Sequence, residues 1–249
     1  MSKKRYKSKY NLIISIITLI MVILIVYYEN NYEIGNNTIQ NDTQIAINNE
    51  VSFNLNEIPD FDGKTPYVIL NNNEPEFPDE DFNINSFEKY SELDSLGRCG
   101  VAYANVSKDT MPTEARGDIS KVKPTGWHAV RYDCVDGKYL YNRCHLIGYQ
   151  LTAENANKQN LITGTRYLNV EGMLPFENQV AEYVKTTNGH VLYRVTPIFK
   201  DNNLVANGVQ MEAKSVEDRG EKVKFNIYAY NVQPNIKINY LTGSSELIE

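Results

Sequence analysis

The chain has 249 residues, a net charge of −6 and 42% hydrophobic residues, a composition that is ordinary for a packed globular protein. Without the five basic residues that open the chain, 20 of its 25 Lys and Arg remain, against 31 Asp and Glu. This acidic balance argues against a passive nucleic-acid binder, whose affinity comes mainly from basic side chains that neutralise phosphates. It leaves room for an enzyme, which needs only a local positive site.

The N-terminus predicts a membrane anchor. An apolar run of about 17 residues, Leu12–Tyr28, is just long enough to cross the hydrocarbon core as a helix. The basic residues before it are Lys3, Lys4, Arg5, Lys7 and Lys9. No small-x-small cleavage site closes the run, so we predict an uncleaved signal-anchor over residues 1–29, with a cytoplasmic N-terminus and an extracellular remainder. The alternative is a cleaved signal peptide, which would give a secreted protein.

Residues 30–50 are polar and rich in Asn, and they predict a flexible linker because they hold too little apolar surface to fold alone. We therefore predict one folded domain over residues 51–249. The spacing of its cysteines, Cys99, Cys134 and Cys144, matches no zinc motif. Three free thiols are the favoured state, and one disulfide with one free thiol remains open.

The predicted elements of this domain begin with strands over Tyr67–Leu70 and Gly100–Val106. A hairpin should follow, in which Asp136-Gly137 joins His128–Tyr132 to Lys138–Tyr141. Next come two predicted helices, Leu161–Asn169 and Met173–Lys185; Pro175 suits the start of the second and Asn188-Gly189 its end. The last predicted strands are Val191–Phe199, Leu204–Ala213, Lys222–Tyr230 and Ile236–Tyr240. Segregated strands and helices indicate an α+β fold.

Three histidines are the candidates for a proton acceptor near neutral pH. His190 has the setting of a surface residue, and His128 suits a structural role as well as a functional one. His145 stands beside Arg143 between apolar segments, where a titratable group is costly unless it is used or satisfied. Considered alone, His145 is as well explained by a structural role as by a catalytic one.

The segments around His145 resemble the DNA/RNA non-specific endonuclease family, in particular its membrane-anchored DNA-entry branch. The resemblance spans roughly Gly63 to Gly243. It rests on four blocks in the right order: Lys123-Pro124-Thr125-Gly126-Trp127-His128, Asn142-Arg143-Cys144-His145-Leu146-Ile147-Gly148-Tyr149, the segment Asn160–Asn169, and Tyr193-Arg194-Val195-Thr196. It implies a ββα-metal nuclease core with a central antiparallel sheet flanked by helices and loops.

The resemblance also implies roles for single residues. His145 matches the general base, and Asn169 matches the one direct protein ligand of Mg²⁺, with Mn²⁺ as a second candidate ion. Glu177 matches the carboxylate that holds metal-bound water, and Asn160 matches a helix-start residue that supports the site. Arg143 matches the Arg of the family's Asp-Arg-Gly-His signature, with catalytic and substrate-binding roles. Arg116 aligns loosely with an upstream phosphate-binding Arg.

Two positions depart from that signature, because Asn142 replaces its Asp and Cys144 replaces its Gly. The first change removes a charge beside the site, and the second adds bulk. Taken singly, Asn160 and Asn169 are ordinary helix-cap residues and Glu177 an ordinary solvated carboxylate of a first helical turn. Their joint spacing with His145 is what favours a site.

The expected function is an extracellular, membrane-anchored endonuclease that hydrolyses DNA and RNA with little sequence preference and leaves 5′-phosphate ends. Its expected partners are DNA, RNA and the cell membrane, with no obligate protein partner. One rival is a hydrolase that uses Cys144 as nucleophile with His128 or His190. The others are a non-catalytic surface receptor for DNA and a purely structural exported domain.

Overall fold

The structure, a computed structural model, describes residues 58–248. The predicted anchor over residues 1–29 and the predicted linker over 30–50 lie outside the described residues. Between residues 58 and 248, no helix is both long enough and apolar enough to cross a membrane.

A six-stranded antiparallel sheet forms the scaffold. Its strands are β1 (Tyr67–Ile69), β2 (Phe87–Tyr90), β3 (Ala102–Val106), β6 (Val191–Ile198), β7 (Gly208–Ser215) and β8 (Lys224–Tyr230). Their order across the sheet is β1-β8-β7-β6-β3-β2. Two hairpins stand apart from this sheet: β4 (Tyr141–His145) with β5 (Leu161–Thr165), and β9 (Ile236–Ile238) with β10 (Ser245–Leu247). The central antiparallel sheet and the α+β class are confirmed.

A short helix, α1 (Tyr149–Thr152), follows β4. The long helix α2 (Leu174–Thr187) covers one face of the sheet. Pro175 occupies its first turn, where a missing N–H costs nothing, and Asn188 ends it in the left-handed conformation with φ 59°. Its buried side chains Val180, Ala181 and Val184 pack in one core with the sheet residues, because helical spacing places them on one stripe. The predicted helix over Met173–Lys185 is confirmed, with its end two residues later.

The hairpin β4–β5 is fixed to the main sheet by a buried amide. Asn231 follows β8, and its Nδ2 donates to the carbonyls of Thr163 and Ala206, at 3.0 and 2.9 Å. Its Oδ1 accepts from the N–H of Thr165 at 2.8 Å. The Asn231 amide therefore links strand β5 to the main sheet. Because β4 pairs with β5, this link also restricts the position of the β4 side chains.

The helix predicted over Leu161–Asn169 is wrong for its first five residues, and only its last four are helical. Leu161–Thr165 is strand β5, and all five of its residues are buried. Because both faces of this strand are covered, its apolar pattern lacks the period-two alternation that marks a half-exposed strand. After a short connection the chain forms a π-helix, Leu168–Met173, which leads into α2.

The predicted hairpin around Asp136-Gly137 is wrong in its strands. The turn exists, with Gly137 at φ 68°, but a single bridge between Arg131 and Tyr139 is the only ladder contact there among the described residues. Leu140 and Tyr141 instead pack with Ile236 in a small second core. The strand that carries His145 begins at Tyr141 and pairs with β5.

Candidate active site

One open cavity of about 770 Å³ gathers most of the predicted site residues. The predicted residues that line it are Arg116, Arg143, His145, Asn169 and Glu177. Strand β4 supplies Arg143 and His145 from one of its faces, since alternate residues of a strand point the same way. The π-helix supplies Asn169, and the first turn of α2 supplies Glu177. We call this space the His145 cavity.

The His145 ring is held in one tautomer. Its Nε2 lies 2.8 Å from the backbone carbonyl of Asn155, which can only accept, so Nε2 carries the proton. In the neutral ring, Nδ1 then keeps its lone pair, which accepts a hydrogen bond from Arg116. Burial lowers the pKa of His145 to about 4, and the positive charge of Arg116 adds to the effect. The ring is therefore neutral at physiological pH and its Nδ1 can accept a proton.

Arg116 is the neighbour of that lone pair. Its Nη2 lies 3.4 Å from His145 Nδ1, although its alignment in the sequence was loose. The Arg116 residue is exposed on a loop, so its guanidinium can meet an anion that enters the cavity. The structure thus places an arginine beside His145, where phosphate binding would need it.

Asn169 lies on the π-helix, a rare geometry that often accompanies functional sites. Its side chain is half-buried and contacts two residues of β4. Asn169 Nδ2 lies 3.4 Å from Asn142 Oδ1, and Cys144 Sγ donates to Asn169 Oδ1 at 3.1 Å. Asn169, the residue that resembles the metal ligand, therefore lies where the π-helix contacts strand β4.

Glu177 is not the solvated carboxylate that its position at a helix start suggests. Its residue is 9% exposed, and burial raises the pKa of its carboxyl to about 7. Hydrogen bonds from Gln150 and from the Gly148 backbone oppose that rise. A Cβ at Gly148 would lie 2.6 Å from Glu177 Oε2, so glycine is what lets this backbone approach the carboxylate.

Arg143 lines the cavity and is anchored by residues of the loop that precedes β4. Its guanidinium lies 4.1 Å from the centre of the Trp127 ring and donates to the carbonyls of Ser120 and Val122. Trp127 belongs to one of the sequence blocks of the family resemblance. The arginine is thus held rigidly as a cavity-lining cation.

Asn160 stands behind the cavity and not in it. It ends the 3-10 turn Lys158–Asn160 just before β5, so the predicted helix-start position is wrong. The residue is completely buried, and its amide bonds both the N–H and the carbonyl of Ile147, each at 2.9 Å. It braces the chain that leaves β4 directly after His145.

Neither His128 nor His190 pairs with Cys144, as the rival thiol-based hydrolase would require. Cys144 is fully buried, and burial raises the pKa of its thiol far above the ordinary range. His128 bonds the Thr242 carbonyl and His190 pairs with Glu217, so each has a partner elsewhere. Cys99, Cys134 and Cys144 are all free, which confirms the expectation of three free thiols.

A hydrated divalent cation fits the oxygen atoms around this cavity. Asn169 offers an amide oxygen and Glu177 a carboxylate, the hard donors that Mg²⁺ prefers. None of the ion pairs among residues 58–248 includes Glu177. No group of three His, Cys, Asp or Glu within residues 58–248 could hold a metal. An ion here would therefore keep most of its waters.

Two contributors were missed in the sequence. The Asn155 carbonyl fixes the His145 tautomer, but every residue has a carbonyl, so no sequence signal marks it. Gln150 lies on the short helix α1 (Tyr149–Thr152) and bonds Glu177. It follows His145 by five residues, yet only the fold brings it to a carboxylate 27 residues further on.

Comparisons with known proteins agree with this geometry. A family model described as DNA/RNA non-specific endonuclease matches residues 81–217, more than half of the chain. This range contains every residue of the His145 cavity.

Solved structures of nucleases share the fold. NucA from Streptococcus agalactiae with magnesium ion bound is 27% identical, with a TM-score of 0.66 over 84% of this chain and 95% of that chain. NucA with no metal bound is 27% identical, with a TM-score of 0.62 over 74% and 91%. Sda1 nuclease with bound zinc ion is 26% identical, with a TM-score of 0.54 over 63% and 80%. The ββα-metal nuclease core is thereby confirmed.

Proposed function

The chain belongs to the DNA/RNA non-specific endonuclease family, and from this premise we propose that it is an extracellular, membrane-anchored enzyme that cuts DNA and RNA using His145 and one Mg²⁺ ion. It is a metal-dependent nuclease, a hydrolase acting on phosphodiester bonds. The observation that carries the finer proposal is the shared cavity, which His145, with its unprotonated Nδ1, lines together with Asn169 and Glu177.

His145 is the general base of the proposed reaction. A water molecule attacks phosphorus and gives its proton to Nδ1, while the Asn155 carbonyl holds the ring through Nε2. The P–O3′ bond breaks and the leaving O3′ takes a proton from solvent water, so the products carry a 5′-phosphate and a 3′-hydroxyl. The low pKa of His145 keeps the ring neutral and ready to accept this proton at neutral pH.

Arg116 and Arg143 bind the phosphate backbone, because guanidinium groups match phosphate oxygens in geometry and charge. Arg143 is fixed by two carbonyls and Trp127, while Arg116 is free to exchange its contact with His145 for a phosphate. Contacts to phosphate position a nucleic acid without reading its bases. We therefore infer slight sequence preference and activity on both DNA and RNA.

Asn169 would bind the ion directly, and Glu177 would hold a water of its coordination shell. Held by these two residues, Mg²⁺ would supply positive charge to stabilise the phosphate oxygens and the departing 3′ oxygen. Oxygen donors without thiolate or imidazole favour Mg²⁺ or Mn²⁺ over zinc. The raised pKa of Glu177 supports this assignment, since a carboxylate buried without a cation is poorly stabilised until one binds.

The membrane location rests on the N-terminal sequence, where basic residues precede Leu12–Tyr28. We infer an anchor over residues 1–29, a linker over 30–50 and a catalytic domain from residue 51 onward. The basic flank stays in the cytoplasm, so the domain lies outside the cell.

Digestion by the purified full-length chain tests the activity. Supercoiled plasmid and a structureless RNA are incubated with Mg²⁺, and matched samples receive EDTA. We expect both substrates to be degraded with Mg²⁺ and intact with EDTA, and the fragments to be joined by a ligase that requires 5′-phosphate. Binding of DNA that stays intact with Mg²⁺ would instead support the non-catalytic receptor.

A further inference from the structure

Cys144 makes a contact that the proposed reaction does not use. Residues 142 and 144 share one face of β4, and both side chains meet the amide of Asn169. Cys144 Sγ lies 3.1 Å from Asn169 Oδ1, and Asn169 Nδ2 lies 3.4 Å from Asn142 Oδ1. The amide is therefore held at both ends, by a thiol and by a second amide.

We propose that Cys144 is a positioning residue for metal binding, whose S–H group holds the Asn169 amide with its oxygen available to the ion. This inference rests on the proposed function, because it assigns the ion to Asn169. The amide oxygen has two lone pairs, so it can accept from the thiol and still bind a cation.

The orientation of this amide decides whether Asn169 can bind a cation at all. The two ends of an Asn side chain are almost equal in size, and a half-turn exchanges the oxygen for an NH₂ group that cannot bind a cation. Asn142 does not choose between these states, since it is itself an amide and can present either end. Sulfur accepts hydrogen bonds weakly, whereas a protonated thiol can donate to an amide oxygen. Cys144 therefore favours the orientation that binds metal.

The thiol has little freedom to turn away. Its residue is 1% exposed, and Met173 Sδ, at the end of the π-helix, lies 3.5 Å from its sulfur. On the strand side, Gly164 leaves the room that the Cys144 side chain occupies. A Cβ built at Gly164 would lie 2.6 Å from Cys144 Cβ and 3.2 Å from its Sγ. Cys144 and Gly164 thus form a matched pair across the hairpin.

Two substitutions distinguish the hydrogen-bond donor role of Cys144 from the volume that its side chain fills. Cys144→Ala removes the donor, and Cys144→Ser keeps one in a side chain of similar reach. The first measurement follows Mn²⁺ binding to the full-length chain without nucleic acid, by the loss of the free-ion EPR signal. The second follows the Mg²⁺ concentration that gives half-maximal cleavage, and the rate at saturating Mg²⁺.

We expect Cys144→Ala to raise both metal constants about three- to tenfold, the worth of one neutral hydrogen bond. Cys144→Ser should stay within about twofold of the unchanged chain, and the rate at saturating Mg²⁺ should change little in either. Cys99→Ala is the matched control, since Cys99 is also buried but donates to the carbonyls of Lys158 and Leu161. Its metal constants should not change.

Equal Mn²⁺ binding by Cys144→Ala and the unchanged chain would overturn the proposal. Equal weakening by Ala and Ser would overturn it too, because the thiol would then only fill space. These outcomes differ from a failure of the proposed function, in which the unchanged chain itself cleaves nothing with Mg²⁺.

Discussion

At the scale of single residues, the two titratable groups of the cavity have opposite pKa shifts from one cause. Burial disfavours the charged form of each, so the pKa of His145 falls to about 4 and that of Glu177 rises to about 7. His145 therefore remains a neutral base through the physiological range. Glu177 is the group whose charge depends on a cation, so metal binding should weaken as the pH falls and this carboxyl becomes protonated.

Replacing Glu177 by Gln should stabilise the metal-free protein at high pH. A carboxyl whose folded pKa lies near 7, above its ordinary 4.5, adds stability at low pH that is lost as the pH rises through 7. Gln has the same shape and no charge to bury. In EDTA at pH 8, we expect Glu177→Gln to melt at least about 3 °C higher than the unchanged chain.

The gain should shrink as the pH falls from 8 to 5, and added Mg²⁺ should stabilise the unchanged chain more than the variant. Calorimetric melting curves at each pH, with and without Mg²⁺, measure both effects. A variant that is less stable than the unchanged chain in EDTA at pH 8 would contradict this account, because Glu177 would then be well satisfied without a cation.

Sequence reasoning identified the side chains of the site better than their supports. His145, Asn169 and Arg143 lie in blocks that resemble a known family, Glu177 follows the Asn160–Asn169 block by eight residues, and the fold brings all four to one cavity. The exposure expected of a helix-start carboxylate did not hold for Glu177, since burial depends on what covers a residue. Contacts through a backbone carbonyl, such as that of Asn155, leave no mark in a sequence.

At the scale of elements, the hairpin β4–β5 and the π-helix bring the proposed base, His145, and the proposed metal ligand, Asn169, to one cavity. The strands of the main sheet and helix α2 were predictable, because their patterns have a clear period and clear ends. The sequence of strand β5 does not predict a strand, because a strand buried on both faces lacks period-two alternation of apolar and polar residues. Which strand pairs with β4 is set by long-range contacts such as those of Asn231, which local patterns do not contain.

The brace behind β4 can be tested by removing Asn160. Its amide satisfies both backbone groups of Ile147 in a fully buried place, so Asn160→Ala leaves two polar groups without partners. We expect a loss of about 2–4 kcal/mol in the free energy of unfolding, measured with urea.

Asn157→Ala is the matched control in the same turn, because the Asn157 side chain only caps the N–H of Gln159. Its cost should be about 1 kcal/mol or less. If the two variants lost equal stability, Asn160 would be an ordinary cap residue and not a brace.

At the scale of the whole molecule, a chain of net charge −6 must concentrate positive charge where its substrate binds. Arg116 and Arg143 do so at the His145 cavity. This local arrangement explains how an acidic chain can act on a polyanionic substrate. The acidic composition argues only against a passive nucleic-acid binder.

The proposed orientation predicts that protease added to intact cells removes the catalytic domain. In the proposed topology, the basic flank before Leu12–Tyr28 keeps the N-terminus in the cytoplasm and the domain faces the medium. Immunoblotting should show loss of the full-length band, while a cytoplasmic marker stays intact. Full protection in intact cells, with digestion only after lysis, would contradict this orientation.

The most direct test of the central claim, that His145 and a metal ion act on the same phosphorus, is the initial rate of plasmid nicking with Mg²⁺ by the unchanged chain and by His145→Ala. We expect the rate to fall at least about a hundredfold, since a positioned base contributes that much or more, while the melting temperature changes by only a few degrees. Undiminished nicking by a folded His145→Ala protein would contradict the mechanism.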